Sequence, residues 1–462
     1  MQAVLLIDFG STFTKVTVVD LDSESVLGTG RAFTTVRTDI NEGLKEALEN
    51  LKKTVGTIDF QHRYACSSAA GGLKMIAVGL VPELTAEAAK RAALSAGAKV
   101  MKVYSYELSS AEAEEICFLS PDILLLTGGT DGGNQKVILH NARLIAGVAG
   151  EFPVIVAGNK SISEDVAAIL CAAGKDVRVC ENVMPSFNVL NIEPARDVIR
   201  NLFLERIIRA KGLSKIKSII EGIIMPTPSA VLEAAHCLAV GTEEEEGLGE
   251  LLVVDVGGAT TDVHSIAHGL PTKTGVMLKG LPEPYIKRTV EGDLGVRWSV
   301  LSLLEAGERE WVTKQAGLTM EEIAEYTNKI AQNPELLPKQ DEKVGLIDHG
   351  LASLAVKIAV KRHTGTIENI YTPFGAAYLQ KGKDLSDIQA VIGTGGPLIY
   401  GMRRRDALAQ ALYDETEPTS LRPYRPALMV DRLYIMSAMG LLAERHPTTA
   451  LRIMKKELEV LK

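Results

Sequence analysis

The sequence has no apolar run that could cross a membrane and few cysteines. No stretch of its 462 residues reaches 18 uninterrupted apolar residues, so a membrane-spanning helix is not expected. The N-terminus lacks the basic region and the small-residue cleavage site of a signal peptide. The five cysteines are scattered and include no C-x-x-C pair, which argues against disulfides and a zinc site. We therefore expect buried thiols in a reducing cytoplasm.

Positive charge is also in deficit. Lysine and arginine together number 50, against 58 aspartates and glutamates, and the net charge is −8. No basic stripe stands out, so nucleic-acid binding is not expected as the main activity. The hydrophobic content of 46% and the charged content of 23% are typical of a globular protein. A chain of this length exceeds one ordinary core, and about two to four domains are expected.

Two short segments, residues 5–15 and 251–262, repeat one pattern. Each has a buried apolar strand, an aspartate at its end (Asp8 and Asp255), a turn of glycine and hydroxyl residues, and a second β-branched run. Such a turn offers consecutive backbone N–H groups that can cradle phosphate oxygens. The aspartate beside it can hold a hydrated Mg²⁺, which prefers carboxylates and substrate phosphates. Two facing hairpins of this kind predict a nucleotide phosphatase or phosphotransferase.

Three further segments accompany the two hairpins in a fixed order, one between them and two after the second. Residues 227–241 and 434–441 form small-residue helices, which allow two lobes to approach closely, and residues 391–397 form a strand that ends in a glycine-rich turn. Such a turn can pack flat against a purine and its ribose because no Cβ intrudes. Strands alternating with helices between about residues 60 and 185 indicate parallel α/β organisation. Helices are also predicted at residues 350–363 and 448–461.

The order of phosphate loop, connecting helix, phosphate loop, adenosine loop and connecting helix resembles the actin, Hsp70 and sugar-kinase superfamily over most of the chain. The resemblance implies an α/β, actin-like (ribonuclease H-like) ATPase fold with two lobes around a central nucleotide cleft. It implies an N-terminal lobe at residues 1–245 with an α/β insertion at about 60–185. The second lobe would span 246–430, with both the second phosphate loop and the adenosine loop, and connecting helices would fill 431–462.

Three stretches narrow the family, namely residues 67–73, 124–134 and 287–295. They resemble the MutL/GlmL family, the accessory proteins of adenosylcobalamin-dependent glutamate mutase and related aminomutases, which is distinct from the mismatch-repair ATPase of the same name. The resemblance implies a reactivating, chaperone-like ATPase that uses ATP and Mg²⁺. Its partner would be a cobalamin-dependent mutase from which damaged cofactor must be released.

The resemblance also implies roles for individual residues. Asp8 and Asp255 would position the hydrated Mg²⁺ and the attacking water, and Asp262 would help to orient that water. The phosphate-binding residues would be Gly10, Ser11, Thr12 and Lys15 on one side, and Gly257, Gly258, Ala259 and Thr260 on the other. The adenosine-binding residues would be Gly393, Thr394, Gly395 and Gly396. Phosphoryl transfer needs mainly positioning and charge neutralisation, so these residues suffice for slow hydrolysis.

Two further aspartates are candidates. Asp131 lies in the glycine-rich loop 128–134, which follows a buried strand and opens a helix, a geometry that suits anion binding or contact with a partner enzyme. Asp293 could lie near the γ-phosphate or the ribose. Two other functions share the same segments. A small-molecule kinase would need an aspartate that deprotonates a hydroxyl, for which Asp131 is the candidate. An actin-like scaffold would bind ATP for assembly.

Overall fold

The chain folds into two compact units. The computed structural model describes residues 2–10, 12–34, 40–67, 73–210, 222–307, 309–338, 341–372 and 375–462. The first unit comprises residues 1–67, 218–279 and 283–462, and the second comprises residues 68–217 and 280–282. Among the described residues, no helix is long and apolar enough to cross a membrane.

The first unit begins with a β-meander followed by a helix. Strand β1 (Ala3–Phe9) is entirely buried and pairs antiparallel with β2 (Phe13–Asp20), which pairs with β3 (Ser25–Phe33). Helix α1 (Ile40–Val55) follows, and β4 (His62–Ser67) then pairs parallel with β1. The apolar residues at every position of β1 except Asp8 suit a central strand that is covered on both faces.

The second unit is a parallel α/β sheet with its own core. Its strands lie in the order β6-β5-β7-β8-β9 and pair in parallel throughout. In chain order its elements are β5 (Lys74–Gly79), a π-helical turn (Pro82–Ala86), α2 (Glu87–Ser95), β6 (Lys99–Ser105), α3 (Ser110–Leu119), β7 (Ile123–Leu126), α4 (Lys136–Gly147), β8 (Val154–Val156), α5 (Ser163–Ala172), β9 (Val177–Val179) and α6 (Glu193–Ala210). The parallel α/β organisation predicted for this stretch is confirmed.

The remainder of the chain completes the first unit. Its elements are β10 (Gly222–Pro226), α7 (Thr227–Val240), β11 (Leu251–Val256), β12 (Thr261–Ile266), β13 (Val276–Lys279), β14 (Ile286–Glu291), α8 (Val300–Ala306), α9 (Arg309–Ala316), α10 (Met320–Gln332), α11 (Glu342–His363), β15 (Thr366–Thr372), β16 (Gly375–Lys381), β17 (Ala390–Thr394), α12 (Gly396–Tyr400), α13 (Arg404–Leu408), β18 (Ala427–Asp431), α14 (Met436–Ala443), α15 (Pro447–Glu457) and β19 (Leu458–Val460). Strands β13, β16 and β15 form a small separate sheet.

Two larger sheets of the first unit share one topology. The first has the order β3-β2-β1-β4-β10, and the second has the order β14-β12-β11-β17-β18-β19. In each, an antiparallel hairpin (β1–β2 or β11–β12) continues on one side into another antiparallel strand and on the other into two parallel strands. This duplication is the actin-like, ribonuclease H-like arrangement predicted from the sequence, and it confirms the α/β fold class.

Helices α7 and α14, the two small-residue segments, pack against each other in a buried core. A Cβ on Gly440 would overlap the carbonyl oxygen of Ala230, so the crossing requires glycine at this position. The close approach that the small residues predict is therefore realised at one point of contact between α7 and α14.

Two helix predictions need correction. The helix predicted at residues 350–363 begins earlier, at Glu342, with Asp341 capping its first turn. The helix predicted at residues 448–461 ends at Glu457. Leu458–Val460 instead form β19, which pairs antiparallel with the outer edge of β18. Pairing with a strand about thirty residues earlier in the chain overrides the local preference for helix.

Candidate functional site

The two Asp–Gly hairpins have the same turn. The amide of Gly10 donates to the carbonyl of Phe13 (3.1 Å), and the amide of Gly257 donates to the carbonyl of Thr260 (2.9 Å). A Cβ on Gly10 would come within 2.6 Å of that Phe13 oxygen, and one on Gly257 within 2.9 Å of the Thr260 oxygen, so both turns exclude a side chain. Ser11 lies outside the described residues.

The predicted phosphate and adenosine loops lie side by side in the first unit. A Cβ placed on Gly258 would stand 3.4 Å from the Thr12 hydroxyl, so the two hairpin turns touch. Gly395, with φ of +90°, packs against the second hairpin, and a Cβ there would stand 2.7 Å from Asp255 Oδ1. The structure thus brings together residues from all three loops that the sequence identified.

Asp8 is the most extensively bonded carboxylate of the site. It is 2% exposed. Its Oδ1 accepts hydrogen bonds from the Thr227 hydroxyl (2.6 Å) and the Cys66 thiol (3.5 Å). Its Oδ2 accepts from the Ser437 hydroxyl (2.8 Å) and forms an ion pair with Lys15 Nζ (2.7 Å). Burial, together with the negative charge of Asp8, raises the pKa of Cys66, so this thiol stays protonated as a donor.

Lys15 is held on the first hairpin as an internal cation. It lies directly opposite Asp8 in the β1–β2 register, and its Nζ is 3.8 Å from the centre of the Tyr434 ring. Burial alone would lower the pKa of Lys15, but the combined attraction of Asp8, Tyr434 and Asp255 outweighs it and the pKa is raised. Lys15 is therefore charged, and it faces the site rather than solvent.

The second hairpin differs because a carboxylate, not a lysine, lies opposite its aspartate. Asp255 pairs in register with Asp262. Burial, then the charge of Asp262, raises the pKa of Asp255 to about 7. Asp262 is itself paired, since Arg288 Nε and Nη2 donate to its Oδ1 at 2.9 and 2.5 Å and Thr260 donates to its Oδ2 at 3.0 Å. Asp262 thus raises the pKa of Asp255, while its own two oxygens accept hydrogen bonds from Arg288 and Thr260.

A fourth carboxylate, Asp431, was missed by the sequence reasoning. It lies at the end of β18, is 3% exposed, and accepts a hydrogen bond from the Thr394 hydroxyl of the adenosine loop (3.0 Å). It also accepts from the amides of Ile435 and Met436 at the start of α14 (2.9 and 3.0 Å). An aspartate five residues before the first residue of α14 was a signal that could have identified it as an acceptor for the amides at the start of that helix.

Three other contributors were also missed. Thr227 and Ser437 stand in the segments predicted as connecting helices, whose small residues indicate close helix packing but not a bond to Asp8. Tyr434 has a left-handed backbone, with φ of +59°, that aims its ring at Lys15. A tyrosine in this conformation is unusual, and no local pattern in the sequence signals it.

The charges of the cluster suit a divalent cation. Asp8, Asp255, Asp262 and Asp431 place four carboxyl groups beside Lys15 and Arg288, and burial and the charge of Asp262 raise the pKa of Asp255 to about 7, so a bound cation would favour its ionised form. Among the described residues, no group of three or more His, Cys, Asp or Glu converges to ligate a metal directly. Buried carboxyl groups beside two phosphate-type turns fit Mg²⁺, which prefers carboxylates, water and substrate phosphates as ligands.

Asp131 and Asp293 are placed differently. Asp131 belongs to the second unit, and its Oδ1 accepts from the amide of Lys160 and the side chain of Asn182, both at 3.0 Å. Asp293 is in the first unit and is ion-paired with Arg362 at 3.0 Å. Both carboxylates therefore have internal partners, and their predicted ligand contacts stay predictions.

Comparison with known proteins gives one extensive sequence match. The family model described as MutL protein matches residues 4–458. Protein MutL from Clostridium tetanomorphum is 50% identical over 460 residues, which is 99% of each chain.

Solved structures resemble the chain more distantly. A glycerol dehydratase reactivase is 11% identical with a TM-score of 0.35, covering 96% of this chain and 99% of its own. A gluconate kinase from Lactobacillus acidophilus is 9% identical with a TM-score of 0.38, covering 100% of this chain and 93% of its own.

Proposed function

The chain belongs to the MutL protein family, and from this premise we propose that it is an ATP-binding, ATP-hydrolysing accessory factor that reactivates an adenosylcobalamin-dependent glutamate mutase or aminomutase. The observation that carries the nucleotide assignment is the convergence of two hairpins with the same turn on one cluster, in which the buried Asp8 and the half-buried Asp255 lie beside Lys15. The family supports the assignment of the mutase as partner.

The proposed chemistry uses each hairpin for a different task. The amides of Gly10 and Gly257 close their own turns, so in this proposal the amides of Thr12 on one side and of Gly258 to Thr260 on the other donate to phosphate oxygens. Lys15 provides a fixed positive charge next to Asp8. Mg²⁺, when bound, would neutralise charge on the β- and γ-phosphates. Asp8 and Asp255 would hold its water ligands.

Asp255 is the better candidate to accept a proton from the attacking water. Its pKa of about 7 lies near neutral pH, where a general base is most effective. Asp8 is surrounded by four donors, which suits a carboxylate that is held in place to orient a bound water. In this assignment Asp262 acts indirectly, by raising the pKa of Asp255 across the hairpin.

The test is steady-state ATP hydrolysis by the purified chain, alone and with a candidate aminomutase inactivated by hydroxocobalamin. We expect slow hydrolysis, at least a hundredfold slower in Asp8→Asn and Asp255→Asn because each removes charge from the phosphate-binding centre (about 2.7 kcal/mol). Asp59→Asn, the same exchange at an exposed position outside the cluster, should behave as the unmodified chain.

Recovery of mutase activity separates the partner assignment from the nucleotide assignment. ATP-dependent recovery with the unmodified chain, absent with Asp8→Asn, is the expected result. Hydrolysis without recovery would contradict the reactivating role and leave the kinase and scaffold functions to be tested with small acceptors and by sedimentation. Absence of nucleotide binding would contradict the central assignment.

A further inference from the structure

Asp8 is bonded to both connecting helices. Thr227, the first residue of α7, reaches its Oδ1, and Ser437, the second residue of α14, reaches its Oδ2. These two donors are 219 and 429 residues from Asp8 in the chain. One buried carboxylate therefore joins the first phosphate hairpin to the first turn of each helix.

The donors around Asp8 fill its capacity. A carboxylate has about four lone-pair positions, and Asp8 uses them for Thr227, Cys66, Ser437 and Lys15. A water molecule bound to a cation must therefore replace one of these donors to reach Asp8. Because the two oxygens of a carboxylate move together, re-aiming Asp8 towards such a water changes its bonds to both helix hydroxyls.

The helices are built to respond as a pair. The two helices cross where Gly440 lies against the Ala230 carbonyl, with no room for a side chain. Because the contact is close-packed, a shift of one helix displaces the other. The Thr227 side chain makes no capping bond for α7, whose N-cap Pro226 also provides none. The Thr227 hydroxyl is therefore not required for the helix to begin, and its strong bond goes to Asp8 instead.

We propose that Thr227 and Ser437 are positioning residues that link α7 and α14 to the nucleotide site through Asp8, so that binding of a magnesium–nucleotide complex is transmitted to both helices. The inference deepens the proposed function and rests on it. It assigns the coupling to two hydroxyl groups, each of which can be removed with little change in side-chain volume.

The test compares hydrogen–deuterium exchange of the full chain with and without Mg²⁺–ADP. In the unmodified chain we expect Mg²⁺–ADP to change exchange in both phosphate hairpins and in α7 and α14. In the double variant Thr227→Val, Ser437→Ala the change should persist in the hairpins and vanish from the helices. The Mg²⁺ concentration for half-maximal ADP binding should fall about tenfold, since a cation-bound water no longer has to replace these donors at Asp8.

The chain provides a matched control in the same helix. The Ser229 hydroxyl is buried and forms no hydrogen bond within the described part of the chain, so Ser229→Ala should retain the helix response and the Mg²⁺ dependence. Thr227→Ser and Ser437→Thr keep the hydroxyl and should also retain both. If the double variant does not fold, each single variant compared with its hydroxyl-keeping exchange gives the same contrast.

The outcomes distinguish this inference from the proposed function. If the unmodified chain does not bind Mg²⁺–ADP, the proposed function fails and the inference fails with it. If the chain binds and its helices do not respond, or if they respond equally in the double variant, the inference alone is overturned.

Discussion

At the scale of single residues, Tyr434 combines an unfavourable backbone with a specific contact. Its φ of +59° is strained for a tyrosine, and its ring lies 3.8 Å from Lys15 Nζ. Tyr434→Leu removes the cation–π contact, and we expect a loss of about 1 kcal/mol in the free energy of unfolding of the first unit. Tyr434→Phe keeps the ring and should lose less than half as much. Urea titrations monitored in parallel would contradict the role if the two variants were equally destabilised.

His264 is a second residue with a measurable signature. It is fully buried on β12, and neither ring nitrogen is hydrogen-bonded within the described residues. Burial, then the charge of Arg288, lowers its pKa to about 3, against 6.5 for an ordinary histidine. Below pH 6.5 His264 is protonated in the unfolded chain, whereas in the folded chain it stays neutral down to about pH 3. The free energy of unfolding therefore falls as the pH falls through this window.

We therefore expect the replacement of His264 by leucine to make the free energy of unfolding less dependent on pH. His264→Leu should remove a dependence of up to about 1.4 kcal/mol per pH unit between pH 6 and 4. His363 is also buried with a lowered pKa, and its own contribution should persist in the variant. The measurement is the free energy of unfolding at several pH values, and profiles with the same slope for both proteins would refute the assignment.

At the scale of elements, the crossing of α7 and α14 is the tightest constraint identified. Gly440→Ala places a methyl group against the Ala230 carbonyl, and we expect destabilisation of about 1–3 kcal/mol from overpacking. Gly147→Ala, the same exchange at the end of α4 where a Cβ meets nothing within 4 Å, should stabilise by up to about 1 kcal/mol. Opposite signs of the change in stability for the two variants would distinguish a packing constraint at Gly440 from an effect of helix propensity. Thermal unfolding of both variants would show whether Gly440→Ala is tolerated.

Elements specified by local pattern were predictable, and those specified by distant partners were not. The hairpins at Asp8 and Asp255 follow from a strand, an acid and a glycine turn within about ten residues, and both occur in the structure. Strand β19 was assigned to a helix because its strand state depends on the edge of β18. Likewise, the pairing of Asp8 with Thr227 and Ser437 depends on the tertiary fold and leaves no trace in any short window of sequence.

At the scale of the whole molecule, every predicted nucleotide-binding residue except Asp131 belongs to the first unit. The second unit has its own hydrophobic core, formed around β5, β7 and β8. A ligand stabilises the structure that binds it, by about 2.7 kcal/mol at a concentration 100 times its Kd. We therefore expect a complex of Mg²⁺ with an ATP analogue to raise the free energy of unfolding of the first unit. The stability of the core of the second unit should stay unchanged.

Native-state hydrogen exchange with a non-hydrolysable ATP analogue would measure this difference. Protection of amides in β1, β11 and β17 should increase roughly a hundredfold, the equivalent of that binding energy, while amides in β5 and β7 should change less than threefold. Asp8→Asn should abolish the increase in the first unit. Equal protection of both sheets would contradict this expectation and show that the second unit also responds to the nucleotide.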